Sequence, residues 1–498
     1  MTCASMTTLS VPLPAPVPRV VSKKVGSRNA KPSRHKSICA SASTSTDSPV
    51  LDAIRTRAAT GSLPGASPFP LLSNPKTYSH VSPGVCDTCA NDVEQRKAWV
   101  VLLLGQLPSH RANAERTLAH VGAEALGSDF NDRYLQWEKE YEAYLEKISD
   151  DATLVKTDQG ATLLDMVDEK ERLLRKNGLD DLFAGMKAQE NEVASALFPI
   201  LADEIDSIWQ PAVGSLQLSS GCGDASDEKN KKINAIQTVL ECCLAGNLFD
   251  AGAAAAVQGM SKSDDSDECA SSLDASQLAE TFAEARRRVR RDGDRGWRFD
   301  SFDAVSTRIT SNPWKRVVIF CDNAGADVMG MTLLARTLAG LGGKGTKVVL
   351  ASNEWAALND VTDTETKQFL KAVTEGEEDC GTSGSIFNVG DALLGAQVNG
   401  GQVNAVSSGQ MSTLLDLNRT GGALNEWVAE ETKQVPAGED WLLVFDGMGR
   451  SLESNWNVDA YVKTGVNTFN LAMVKSEINA KRLKAEVYDC VVKLGVGK

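Results

Sequence analysis

From about Trp297 onward, short apolar runs alternate with helical stretches: RVVIF, TKVVLAS, VNAVSS, WLLVF, TFNLAMV and AEVYDCVVKL. Several of these runs are apolar almost throughout, so they do not suit a sheet that shows one face to water. Alternating with helices, they spell βαβ units and predict an α/β domain built on a doubly wound, mostly parallel sheet. Upstream the grammar differs. Between Val93 and Met260, as in Phe130–Ile148 and Ala161–Lys176, apolar residues recur at three- and four-residue spacing with charges between them. The expected architecture is an N-terminal all-helical domain, residues 93–296, packed on a C-terminal α/β domain, residues 297–498. Residues 47–92 are rich in Pro, Ser and Gly and read as an irregular lead-in. Ser219–Lys232 and Ser261–Ser272 read as surface loops.

Charge is distributed unevenly. Residues 1–46 hold seven basic residues (Arg19, Lys23, Lys24, Arg28, Lys31, Arg34 and Lys36) and no Asp or Glu. Such a Ser-rich, acid-free leader without a continuous apolar core predicts an organellar transit peptide, plastid rather than mitochondrial, with Ile38-Cys39-Ala40 a candidate processing site. The whole chain carries a net charge of -14, which argues against a general nucleic-acid binder. The apolar run Ala98–Leu104 is far too short to span a bilayer. The basic cluster RRRVRR that begins at Arg286 reads first as a solvated helix face and second as an anion patch.

Two inventories narrow the chemistry. The four histidines are His35, His80, His110 and His120, so the α/β half holds none. A Ser-His-Asp triad or a His-rich metal centre built within that half is excluded. The eleven cysteines follow no repeating spacing. The lone Cys86-x-x-Cys89 lacks the second pair that a zinc site needs; the cysteines read as mostly reduced thiols, with Cys242-Cys243 adjacent in a helix and Cys321 buried in its strand.

In open α/β sheets ligands bind beyond the carboxyl ends of the strands. Asp322-Asn323 follows VVIFC there. Asn353, Asn359 and Asp360 follow TKVVLAS, Gly447, Gly449 and Arg450 follow WLLVFD, and Lys475 follows NLAMV. Each alone is most often a turn, a cap or a surface residue. Together they put oxygen donors suited to Mg²⁺ or Mn²⁺ beside glycines, Arg and Lys suited to an anion, the combination that phosphoryl chemistry requires. The helix expected from Asp327 would add its N-terminal dipole to the phosphate site. Gly340–Gly345 matches GxGxxG literally, but it follows a helix and precedes a strand. That reverses the dinucleotide fingerprint and predicts a helix C-cap instead.

These stretches resemble the DUF89 family of metal-dependent damage-control phosphatases, in the plant branch also found fused to pantothenate kinases. FCDNAGADVMGMTLLARTL, GTKVVLASNEWAALNDVT and LLVFDGMGRSLESN carry the resemblance. CCLAGNLFDAGA (Cys242–Ala253), DLFAGMKAQENEVASALFP (Asp181–Pro199, with its Lys-x-x-Glu-Asn helix) and WRFDSFDAV extend it over roughly Val93–Leu494. The resemblance implies a divalent ion (Mn, Mg, Co or Ni) held by Asp322, Asn323 and Asp360. It implies a substrate phosphate near Lys475 and the Gly447–Arg450 loop, with Asn247 and Asp250 lining the cleft from the helical side. The implied activity is hydrolysis of phosphate monoesters of damaged or surplus metabolites, such as sugar phosphates or phosphopantetheine derivatives, with Asp322 and Lys475 in catalysis. The segment Asn388–Asp416 departs from the family pattern, with Ser407-Ser408-Gly409-Gln410 where Asn-Ser-Gly-Asn-Asp-like residues are usual. Two other readings stand beside this one. A carboxyl methyltransferase using S-adenosylmethionine would conscript Glu354, but a first turn of Asp-Asn suits a cation better. A non-catalytic metabolite-binding protein would explain the drifted segment but not the preserved Asp322, Asn323 and Asp360.

Overall fold

Strand β2 (Arg316–Phe320) lies in the interior of the sheet that organises the molecule. The computed structural model describes residues 66–80, 93–150, 163–209, 225–249, 275–375, 387–388, 391–392 and 402–498. The leader, Cys86, Cys89, Asp250, Ser261–Ser272 and most of the 388–401 stretch lie outside these residues. β1 (Trp297–Asp300), β2, β3 (Lys347–Ser352), β6 (Gln402–Ser407), β7 (Trp441–Asp446), β8 (Asn467–Met473) and β9 (Cys490–Val496) form one sheet. β4 (Phe387–Asn388) and β5 (Asp391–Ala392) pair separately. The spatial order is β6-β3-β2-β7-β8-β9-β1. The first five run parallel, β9 is antiparallel to β8, and β1 is parallel to β9.

This order has one functional consequence. After β2 the chain crosses to β3 on one side, whereas after β7 it moves to β8 on the other. The crossovers leave adjacent strands in opposite directions, which opens a crevice at the carboxyl ends of β2 and β7.

Every residue of β2, β7 and β8 is buried. The two-residue period sends Val317 and Ile319 to one face and Val318 and Phe320 to the other. The first face is covered by α6 (Ala184–Trp209), α7 (Ala225–Phe249), α8 (Ala275–Arg288), α9 (Phe302–Ser311), α10 (Ala326–Gly342) and α11 (Asp363–Glu375). The second is covered by α12 (Gly422–Gln434) and by part of the lead-in, with Phe69, Leu71, Leu72 and Tyr78 buried against it. The prolines there preclude a regular element but not burial, since Lys463 N–H bonds Leu71 O at 2.9 Å and Phe69 meets the Phe320 ring edge-on.

The helices before residue 177 are α1 (Val93–Gly105), α2 (Leu107–Val121), α3 (Ala123–Leu126), α4 (Phe130–Asp150) and α5 (Leu163–Lys176). They gather a second core around Trp99, Trp137, Tyr141 and Met166. The molecule is thus α/β with an N-terminal helical part, as the sequence predicts. The helices of residues 184–288 share their core with the sheet, whereas those before residue 177 have their own. α7 and α10 approach so closely that a Cβ at Gly246 would lie 2.4 Å from Ala326 O. The GxGxxG stretch is the predicted helix end, with Gly343 at φ 67° and its N–H bonded to Ala339 O and Gly340 O. The arginines after Ala285 are engaged by carboxylates: Arg287 and Arg288 by Glu284, Arg290 by Asp292, and Arg286 by Glu204 of α6 through two bonds of 2.6 and 2.7 Å.

Candidate active site

The turn after β2 is short and fixed from several sides. Ala324 N–H bonds Asn359 O at 3.0 Å and Val361 N–H bonds Asp322 O at 2.9 Å, so the loop after β3 is stitched to the tip of β2. Those two bonds bring Asn323 opposite Asp360 in an isolated antiparallel bridge. Asp322, Asn323 and Asp360, far apart in sequence, therefore converge, and all three are buried.

Arg450 stands between the two carboxylates. It lies on a π-helical turn, Met448–Glu453, that follows β7. Its Nη1 donates to Asp322 Oδ1, and its Nη2 donates to Asp360 Oδ2 at 2.8 Å and to Asn353 Oδ1 at 3.1 Å. Asn353 Nδ2 donates in turn to Asp360 Oδ2 at 3.0 Å, and Asn323 Nδ2 donates to Asp322 Oδ2 at 3.0 Å. Gly447 makes this approach possible. It sits at φ 73°, and a Cβ there would fall 1.9 Å from Asp322 Oδ2. Gly449 is equally confined, its missing Cβ only 2.4 Å from Thr413 O.

A second layer of carboxylates lies behind the first. Asp327 and Asp446 are completely buried. Asn247 Nδ2, from α7, donates to Asp327 Oδ1 and, at 3.2 Å, to Asp446 Oδ1. Asp446 Oδ2 accepts Asp322 N–H at 3.2 Å, and Asp327 Oδ2 accepts Asn323 N–H at 3.2 Å. Asp327 thus places a carboxylate of its own in the first turn of α10, the helix start expected beside the phosphate. Burial raises Asp360 to about 8, with Asp322 adding to the effect and Arg450 opposing it. Burial and the neighbouring Asp327 and Asp322 hold Asp446 well above the usual carboxylate range. In both, loss of hydration is the first cause and a neighbouring carboxylate adds to it.

The donor chemistry fits a hard divalent cation. Among the described residues no three His, Cys, Asp or Glu side chains converge as metal ligands. The oxygen donors gathered here are the Asp322 and Asp360 carboxylates, with the Asn323 carboxamide beside them. The structure brings Asp322, Asn323, Asp360, Gly447 and Arg450 together and places Asn247 behind them through Asp446. Lys475 is half-buried at the end of β8, next to β7 along the same edge, and Asp250 lies outside the described residues. Sequence reasoning passed over Asp446 as a site residue. Its signal was there: it ends an apolar run just as Asp322 follows one, on the neighbouring strand at the crevice.

The fold and the site define an α/β protein whose carboxylates, carboxamides and one arginine meet at the switch point of a parallel sheet. The chain belongs to the damage-control phosphatase ARMT1-like family, whose domain matches residues 107–491. This bears out the DUF89 resemblance. "Pantothenate kinase 2" of Arabidopsis thaliana is 28% identical over 438 residues, 86% of this chain and 42% of that protein. "Damage-control phosphatase At2g17340" of the same plant is 26% identical over 408 residues, 80% of this chain and 87% of that protein. The "4'-phosphopantetheine phosphatase" of Mus musculus is 30% identical over 206 residues, 41% of this chain and 20% of that protein. The chain spans about two fifths of the length of the pantothenate kinase 2 relatives, 42% and 41% in Arabidopsis and rice. A solved DUF89 family structure from Pyrococcus horikoshii aligns with 80% of this chain and 98% of its own, at 15% identity and a TM-score of 0.46.

Proposed function

We propose that this protein is a divalent-metal-dependent phosphatase that hydrolyses phosphate monoesters of small metabolites, with sugar phosphates and 4'-phosphopantetheine derivatives as the substrate classes. The observation that carries the reading is the convergence of Asp322, Asn323 and Asp360 from two strand tips at the crevice between β2 and β7. Family membership and the relatives named as phosphatases support it.

Asp322, Asn323 and Asp360 would hold the ion. When bound, such an ion polarises phosphoryl oxygens and lowers the pKa of a bound water, so a nucleophile forms at neutral pH without a histidine. Arg450 keeps Asp322 and Asp360 at a fixed separation by donating to both. The Gly447 and Gly449 peptides and Lys475 line the same edge and would meet the equatorial oxygens of the transferring group. Position 324, two residues past Asp322, is Ala rather than the second Asp of aspartyl-phosphate enzymes, which favours direct attack by water.

The test uses metal-stripped protein and p-nitrophenyl phosphate. Hydrolysis is expected only after Mg²⁺, Mn²⁺, Co²⁺ or Ni²⁺ is restored, and Asp322→Ala is expected to lose at least about 100-fold in rate while keeping its fold. Full activity in EDTA would sink the metal requirement. A screen of phosphometabolites then ranks the substrate classes. We further propose that residues 1–46 direct plastid import; a reporter fused to residues 1–60 that stays in the cytosol would refute this.

A further inference from the structure

The Lys-x-x-Glu-Asn stretch of α6, Lys187 to Asn191, has no part in the chemistry above. Its two polar ends are four residues apart and therefore share one helix face. Each grips a different loop. Asn191 Oδ1 accepts the Gly325 N–H at 2.7 Å, in the turn just after Asp322-Asn323. Gly325 is held at φ 71° there, and a Cβ on it would lie 2.7 Å from Glu190 Cβ, so the helix lies directly against the turn.

Lys187 holds the other loop. Its side chain is wholly buried, and its Nζ pairs with Asp181 Oδ2 at 2.8 Å and Glu365 Oε1 at 2.9 Å. The same Nζ lies 3.5 Å from Asp360 O. Glu365 also accepts the Thr362 N–H at 2.8 Å, in the capping arrangement that starts α11 two residues past Asp360. Lys187 is thus tied to the Asp360 backbone and to the first turn that follows it.

We propose that Lys187 and Asn191 are positioning residues: one rigid face of α6 fixes the distance between the Asp322-Asn323 turn and the Asp360 loop. The inference rests on the reading of those three residues as metal ligands. Its physical basis is that a small divalent cation tolerates little error in ligand placement, and these donors come from separate loops. A helix that holds both loops by their backbones removes the freedom that binding would otherwise have to freeze out.

Calorimetric titration of the metal-stripped full chain with Mn²⁺ tests this. Asn191→Ala is expected to weaken Mn²⁺ binding by about 10- to 100-fold, the range for groups that orient ligands without touching the ion. Its metal-free melting temperature should stay close to wild type. Lys187→Met strands Asp181 and Glu365 without their cation and risks misfolding. Glu365→Gln is the safer partner variant, because it keeps an oxygen for Thr362 N–H while removing the ion pair, and it is expected to weaken Mn²⁺ binding too. Wild-type Mn²⁺ affinity in both folded variants would overturn the inference while leaving the metal reading intact. Failure of the wild type itself to bind Mn²⁺ would overturn both.

Discussion

Two charged clusters in this molecule are shut away from water, and they are built in opposite ways. At the strand tips, Asp322, Asp360 and Asp446 each accept directed hydrogen bonds from groups on different chain segments: Arg450, Asn323, Asn353, Asn247 and the Asp322 peptide. In the helical core, Lys170 and Glu171 are as deeply buried, with Nζ and Oε1 3.7 Å apart. Yet Lys170 Nζ, Glu171 Oε1 and the nearby His110 Nε2 have no hydrogen-bond partner among the described residues. Both clusters adjoin the 353–360 loop, the second through Arg175, whose Nη2 donates to Ala356 O at 2.6 Å. Burial of charge is common to them; convergence of oriented donors from separate strands and helices is not. That convergence, with glycines cleared to allow it, separates a candidate active site from an ion pair enclosed by packing.

The sharpest way to break this comparison is to remove the cation from each cluster. Arg450→Met leaves Asp322 and Asp360 facing each other in the interior and is expected to destabilise the metal-free protein by about 3–5 kcal/mol in urea unfolding. Added Mn²⁺ should recover part of the loss if the two carboxylates share it. Lys170→Met is expected to cost less than Arg450→Met, because Glu171 keeps a second cation, Arg175, at 3.6 Å. Equal costs at the two sites would show that the difference in hydrogen bonding carries no energetic weight.

The strand-tip cluster was also the more legible of the two in the sequence. Asp322-Asn323 and the Gly447–Arg450 turn stand at the ends of apolar runs, and a parallel sheet leaves strand ends as the place where polar groups can meet a ligand. Asp360 was legible as one of the oxygen donors beyond TKVVLAS, but less sharply, since by spacing it also reads as a cap of α11. What the sequence hid was partnership. The pattern of α7 declares a helix only after Lys232, since its first turns, helical from Ala225, read as a surface loop. Nor does it declare that Gly246 allows α7 to meet α10 and bring Asn247 to Asp446. The lead-in reads as irregular, and it is, but nothing in its prolines announces that Phe69 and Leu71 complete the sheet's second face. Pairings of this kind depend on contacts between distant segments, and a local period carries no information about them.

The helical cluster has its own signature, and it is a response to pH rather than to metal. His110 is buried, its Nδ1–H donates to Gln106 O at 2.7 Å, and its ring stacks on Trp137. Burial, with Lys170 adding to it, pushes its pKa down to about 3. In the unfolded chain an ordinary histidine titrates near 6.5, so between these values the unfolded state binds the proton and the folded state does not. The contribution of His110 is therefore fully present above about pH 6.5 and is lost as the pH falls toward 3, with a limiting slope of about 1.4 kcal/mol per pH unit. The measurement is the difference in unfolding free energy between wild type and His110→Gln across pH 4–8, so that groups common to both cancel. Wild type should lose stability relative to the variant steadily below pH 6.5. A difference independent of pH would mean that His110 binds its proton equally well folded and unfolded, and a wild type that gained on the variant as the pH fell from 8 would mean that His110 is protonated in place and that the helical cluster holds a paired cation there.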